Sequence, residues 1–238
     1  MQINVNKTKA ITFGTTANLV FCDYTLNNMP IDSVSTIKYL GVHLSSDLSW
    51  NTHIDAIVSK ASRSLGFIRR NLHPANSETK LLAYKTLVRS KLEYASFIWN
   101  PHQAYLKQKL ESVQNKAARF ITKNYLRTSS VTEIKSSLNL APLENRRLLT
   151  LLSFFHKLYF NQSSHDIFNI RPARHISSRL DHQHKIEPIF ARTNLFFHSP
   201  LLLAIREWNL LPADIVLIVN HDSFVTSLKS FLGQNGSQ

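Results

Sequence analysis

From Asn51 onward the apolar positions recur with a helical period. Ile54, Ile57, Val58, Ala61, Leu65, Ile68 and Leu72 share one face at about 100° per residue, with Arg63 and Arg70 projecting opposite and Lys60 and Arg69 on the flanks. Asn51 is placed to cap the start of this helix, and Pro74 follows its end. A second helix is predicted from Ser77, with Glu78 in its first turn where the helix dipole favours a carboxylate. Its stripe is Leu81, Tyr84, Val88, Leu92, Ala95 and Trp99, ended by Asn100-Pro101. A third carries Leu106, Leu110, Val113, Ala117, Phe120 and Ile121, with Lys109, Lys116, Arg119 and Lys123 along one flank. Three amphipathic helices joined by short loops imply a bundle.

Before Asn51 the pattern differs. Lys9 to Phe13 alternates polar and apolar, and Leu19–Cys22 and Ile37–Leu44 are short apolar runs. Asn27-Asn28 and Met29-Pro30 supply turn chemistry between the last two, so residues 1–50 read as short strands and hairpins. After the bundle, Ser130-Val131-Thr132-Glu133 has capping-box spacing. Pro142 suits the first turn of a helix reaching about Phe160. Residues 161–198 are polar and irregular and are predicted as a long loop. Two helices close the chain, one from Ser199-Pro200 through Trp208 and one from Asp222 to about Leu232, with the last residues fraying. The expected class is therefore α+β, mainly α. Its expected pieces are a short antiparallel hairpin region at 1–50, a helical bundle at 51–127 and a helical extension at 128–238. Trp50, Trp99 and Trp208 sit at element boundaries beside apolar residues and are read as core anchors.

Composition narrows the function classes. The 238 residues are 43% hydrophobic, enough for a buried core. With 5 Gly, 8 Pro and 1 Cys, collagen-like and disulfide-framework readings fail. The longest apolar runs, 201–205 and 215–219, are far short of the ~20 residues a bilayer helix needs. No basic region precedes an apolar stretch at the N-terminus, so an intracellular chain of nucleus or cytoplasm is expected, without membrane association.

The net charge of +13 is unevenly distributed. Residues 51–127 hold 14 basic and 4 acidic side chains, whereas 1–50 balance and 128–238 hold 11 against 8. Such a concentration suits a polyanion, which releases condensed counterions on binding. The plainer alternative is a solubilising face.

His182-Gln183-His184, with His175 seven residues before His182, lies in the expected loop with no Cys nearby and only Asp181 and Glu187 as acidic neighbours, and is read as exposed loop histidines rather than a metal site. No H-E-x-x-H, C-x-x-C, G-x-S-x-G, Walker loop or G-x-G-x-x-G is present. Carboxylates are scattered singly, with no Asp-x-Asp to hold a Mg²⁺ pair. No cofactor and no small-molecule ligand are expected.

Several strings, in order, carry a resemblance. They are Lys38-Tyr39-Leu40-Gly41-Val42, Asp47-Leu48-Ser49-Trp50-Asn51-x-His53-Ile54, and Leu65-Gly66-Phe67-Ile68-Arg69-Arg70-Asn71-Leu72. They continue through Ala83 to Ala95, Val113-Gln114-Asn115-Lys116-Ala117-Ala118-Arg119-Phe120, Leu143-Glu144-x-Arg146-Arg147 and Ile205 to Pro212. The set resembles the end of the palm, the thumb and the C-terminal extension of LINE-type (non-long-terminal-repeat) retrotransposon reverse transcriptases, and spans about Asn4 to Leu232.

The resemblance implies a primer-grip-like hairpin with Tyr39 and Gly41, and a thumb over 51–127 that holds an RNA/DNA duplex by its backbone. Arg63, Arg69, Arg70, Lys109, Lys116, Arg119 and Lys123 are the candidate contacts, about half of them expected to be bystanders. For Tyr39 and Gly41 a packed strand ring and a turn glycine remain equal alternatives. It further implies that the catalytic carboxylates and their Mg²⁺ ions belong to a palm lying before Met1. No position here matches one of them, so the chain is expected to be no enzyme on its own. Two rival expectations are a partial reading of a full RNA-directed DNA polymerase, which an Asp-Asp motif encoded upstream would favour, and a helical interaction protein.

Overall fold

In the N-terminal part, tight turns decide where strands form. Asn27 and Asn28 both take positive φ (50° and 59°), the geometry of a two-residue hairpin turn that asparagine tolerates, and they join β2 (Thr25–Leu26) to β3 (Met29–Pro30). Met29-Pro30 is therefore strand rather than turn. Pro30 is accommodated because a two-stranded ribbon leaves an outward edge that needs no N–H donor. Leu40 (φ 45°) and Gly41 (φ 89°) likewise reverse the chain between β5 (Thr36–Tyr39) and β6 (Val42–Ser45), with Tyr39 opposite Val42. The apolar run 37–44 is thus two strands, folded as the hairpin that the resemblance implies. β1 (Lys9–Ala10) runs parallel to β4 (Asp32–Ser33), where Lys9 pairs with Asp32 and holds its carboxyl below the ordinary range.

The computed structural model describes residues 4, 7–14, 22–161, 163–177, 179 and 181–235, and the chain divides into two compact units, Met1–Ser59 and Lys60–Gln238. The strand expected over Leu19–Cys22 falls outside the described residues except for Cys22, which is exposed.

Helix α1 (Asn51–Asn71) crosses the division between the units. Its first hydrogen bond runs from Ile54 N–H to the carbonyl of Trp50, so the cap falls on Trp50, one residue before the position expected for Asn51. In the N-terminal unit its start buries His53 and Ile54, with Val42 and Ser45 of β6 also buried. The Nδ1 of His53 accepts a bond from the His43 N–H at 3.2 Å. Burial, and secondarily the neighbouring His43, lower the His53 pKa to about 4.

That shift carries a sign. Between the unfolded value near 6.5 and the folded value the unfolded chain takes a proton that the folded chain refuses, so stability is lost as pH falls. The stability of the N-terminal unit is expected to fall between pH 6.5 and 4 by up to about 1.4 kcal/mol per pH unit. His53→Gln is expected to flatten that slope in pH-dependent denaturation, and an unchanged slope would contradict the assignment.

In the C-terminal unit, α2 (Ser77–Tyr84) starts on an Asn76 cap whose side chain accepts from the Thr79 N–H at 2.8 Å. The single helix expected over 77–99 is broken in two places. Lys85–Arg89 is a π-helical turn, and α3 (Ser90–Glu93) follows it. The turn's loosened carbonyls are taken up by hydroxyls: Thr86 Oγ1 donates to Leu82 at 2.9 Å and Ser90 Oγ to Thr86 at 2.5 Å. Ala95 then adopts a left-handed φ of 53° before α4 (Ser96–Trp99). Tyr84, Val88, Leu92 and Trp99 of the expected stripe are nevertheless buried.

Helix α5 (Ala104–Thr122) buries every member of its expected stripe and packs on α2, α6 (Val131–Ser137) and α7 (Leu143–Phe160). Ser130 caps α6 through the Glu133 N–H. Pro142 takes the cap position of α7, one residue before the first turn expected for it. α7 is the central helix, packing also on α3, α4, α10 (Pro200–Asn209) and α12 (His221–Asn235), the last of which runs on past Gly233. The segments read separately as bundle and extension are one packed unit from Lys60 onward.

Residues 161–198 are a correction to the long-loop reading. They contain α8 (Ser163–Phe168), α9 (Asn194–Phe197) and a Pro172–Ile186 bridge, and Ile170, His182 and Ile186 are buried. The order comes from α10. Trp208 Nε1–H donates to the His184 carbonyl at 3.0 Å, His182 Nε2 bonds the Trp208 carbonyl at 3.1 Å, and the Asn209 amide exchanges two bonds with the Ile186 backbone at 2.9 and 2.8 Å. A short four-residue helix, Ala213–Val216 (α11), completes the unit. The mainly helical α+β class matches the expected one.

Candidate nucleic-acid interface

Because α1 buries Ala61, Leu65 and Ile68, the opposite side must face water, and Lys60, Arg63, Arg69 and Arg70 are all exposed there. Arg63 and Arg70, seven residues apart, lie nearly in line along the helix, whereas Arg69 projects from another flank. Arg69 and Arg70 occupy the last turn, where cations oppose the dipole's negative end. On α5 the same reasoning places Lys109 and Lys116 two turns apart on the exposed side. Lys109 lies over the Tyr105 ring at 5.9 Å. Lys123 is exposed and ends the helix in a left-handed conformation, φ 57°.

Arg119 does not belong to this set. Its guanidinium turns back and donates to the carbonyls of Asn124, Leu126 and Ser129 at 3.4, 3.0 and 3.2 Å, clamping the connection between α5 and α6. Flank position on a helix wheel could not reveal this, because the partners belong to a turn of the chain beyond the helix. Lys80 of α2, which is not among the candidates, is also turned away from water. It is buried over the Phe120 ring at 5.0 Å, and burial together with nearby Lys123 lowers its pKa.

In the N-terminal unit, Tyr39 is 63% exposed, so its ring is not packed into the strand surface. Gly41 holds the turn beside it. Both therefore stand at an accessible hairpin tip.

A second group of cations turns inward and makes a polar hub. Arg146 of α7 grips Glu93 of α3 with two parallel bonds, Nη2 to Oε2 at 2.9 Å and Nε to Oε1, and Arg89 approaches the same carboxylate at 3.8 Å. Hydrogen bonding to Glu93 raises the Arg146 pKa, whereas burial and the adjacent Arg146 lower that of Arg89. Nearby, the buried Tyr84 hydroxyl donates to Gln114 Oε1 at 2.8 Å, and burial pushes its pKa far up. Glu111 accepts from Lys135 at 2.7 Å and from the Leu143 N–H at 3.0 Å, tying α5 to α6 and α7. Arg147 is 1% exposed and donates through Nε to Asn100 at 3.0 Å. Arg146 and Arg147, part of the resembling strings, are thus framework residues.

The histidines expected to be loop-exposed are mostly structural. His182 is buried on the Trp208 carbonyl, and burial lowers its pKa, while His184 Nδ1 takes the Tyr159 hydroxyl at 2.8 Å; only His175 is exposed. Among the described residues no group of three or more His, Cys, Asp or Glu is arranged to hold a metal ion, and no helix is long and apolar enough to cross a membrane.

One feature was not marked by the periodicity. Between α1 and the π-turn lies an open groove of 360 Å³ lined by Lys60, Arg63, Ser64, Phe67, Leu87 and Lys91. Phe67 is 56% exposed, and the Lys91 ammonium donates to Ser64 Oγ across the groove. The available signal was Phe67 itself, an aromatic side chain lying off the apolar stripe.

No family model, no curated protein and no solved structure matches the chain.

Proposed function

We propose that the chain is the duplex-holding portion of a LINE-type reverse transcriptase, gripping the phosphate backbones of RNA/DNA hybrids without base specificity. The observation that carries this reading is the pair of rigid helices, α1 of 21 residues and α5 of 19, presenting exposed Arg63, Arg69, Arg70, Lys109 and Lys116. Cations on a stiff support suit backbone contacts, which position a duplex without reading it. The ordered strings from Lys38 to Pro212 supply the family. Lys123 adds an exposed cation at the end of α5, and Arg119 holds the turn that follows it. Within the N-terminal unit, Tyr39 and Gly41 are assigned a primer-grip role on the resemblance alone. No position matches a catalytic carboxylate of that family, so the role assigned is binding, with Mg²⁺ chemistry left to the palm of an intact polymerase.

Titrating an RNA/DNA hybrid at several salt concentrations tests this. If the five exposed cations each neutralise a phosphate, log affinity falls with log salt at a slope of about −4.5. Lys109→Gln with Lys116→Gln is expected to reduce the slope by about 2. Arg119→Met is expected to leave the slope unchanged while lowering the melting temperature. An absence of binding at low salt removes the reading.

A further inference from the structure

The groove between α1 and the π-turn holds a chemistry that duplex gripping does not use. Phe67 presents more than half of its surface to water, whereas Leu65 and Ile68 beside it on the same helix are buried. It stands among Lys60, Arg63 and Lys91, and among the described residues no carboxylate lines the groove. An exposed aromatic face set between cations is the arrangement that holds unpaired nucleotides: the ring stacks on a base while the ammonium and guanidinium groups meet phosphates.

The opposite wall is built to stay in place. Lys91 donates to Ser64 Oγ, joining α3 to α1 across the floor, and an ammonium has two further donors for phosphate oxygens. Leu87, 47% exposed, comes from the π-turn, a rare form found disproportionately at functional sites. Lys60 and Phe67 lie two helical turns apart, about 10 Å along α1. That span accommodates roughly three stacked nucleotides of one strand.

We propose that this groove seats a single-stranded stretch of nucleic acid, with one unpaired base stacked on Phe67 and flanking phosphates held by Lys60, Arg63 and Lys91. The occupant is a single strand rather than a duplex because paired bases have both faces covered by their neighbours and offer none to a side chain. The inference rests on the nucleic-acid reading above and adds to it a site of different preference.

The experiment uses the full chain, a fluorescent 20-nucleotide oligo(U) and a blunt RNA/DNA hybrid, with affinities read by anisotropy at low salt. Phe67→Ala is expected to weaken oligo(U) binding roughly tenfold and hybrid binding by less than twofold, and Phe67→Tyr to retain both. Phe67 is exposed, so an unchanged melting temperature certifies the fold. Should Phe67→Ala leave oligo(U) affinity within twofold, or weaken both ligands alike, the groove assignment is overturned while hybrid binding stands. Hybrid binding with no oligo(U) binding by the parent chain overturns it equally. Binding of neither ligand defeats both readings, and oligo(U) binding lost with Phe67 in a chain that ignores the hybrid upholds the groove alone.

Discussion

Replacing Trp208 with alanine is expected to cost the C-terminal unit about 4 kcal/mol and to lower its melting temperature by roughly 10 °C. The indole is fully buried, with Tyr159 at 5.1 Å, Phe155 at 5.5 Å and Phe224 at 5.8 Å between ring centroids. Truncation therefore opens a cavity where α7, α10 and α12 meet. It also removes the donor to the His184 carbonyl, one of the bonds that order residues 182–186. Trp208→Phe restores ring contacts without the donor and is expected to fall between the two. Thermal denaturation followed by circular dichroism measures the series. A Trp208→Ala protein melting within a few degrees of the parent would show that the indole is not the anchor of this core.

The second large effect is at Glu93. Its carboxylate is the counter-charge for both Arg146 and Arg89, and side-chain exposures of 20% and 29% leave the Glu93–Arg146 pair little water. Glu93→Gln keeps the shape but leaves two guanidinium groups close together without their anion, at an expected cost of about 3 kcal/mol. Adding Arg146→Met removes one of the stranded charges, so the double variant is expected to be more stable than Glu93→Gln alone. Urea denaturation of the four chains closes the cycle, and a coupling above roughly 1 kcal/mol is expected. Strict additivity of the two single changes would mean that the observed contact contributes nothing.

The long helices were legible because one solvent-facing side and one buried side impose a 3.6-residue period over many turns, as in α1, α5 and α7. The cap at Ser130 was marked by local chemistry acting over three residues, whereas the hairpin at Leu40-Gly41 was implied by the resemblance and the Asn76 cap was not read. What escaped was non-local. The ordered stretch around His182 has no period of its own and takes its hydrogen bonds from Trp208 and Asn209, more than twenty positions later. Arg119 looked like the other basic residues on its flank until the following turn supplied three carbonyls. The break at Lys85–Arg89 was hidden because a widened turn still brought Tyr84, Val88 and Leu92 into the core. For the candidate interface, composition located the cationic region and the helix wheel identified the outward members. Only the opposing wall, brought in from the neighbouring helix, could turn Phe67, Lys60 and Lys91 into one groove.

The widened turn at Lys85–Arg89 is a five-residue link between α2 and α3, pinned by hydroxyl bonds at Thr86 and Ser90. Leu87 projects from one side of the link and Arg89 reaches the Glu93 carboxylate from another. One short turn thereby supplies both a wall of the groove and a cation of the ionic contact that joins α3 to α7.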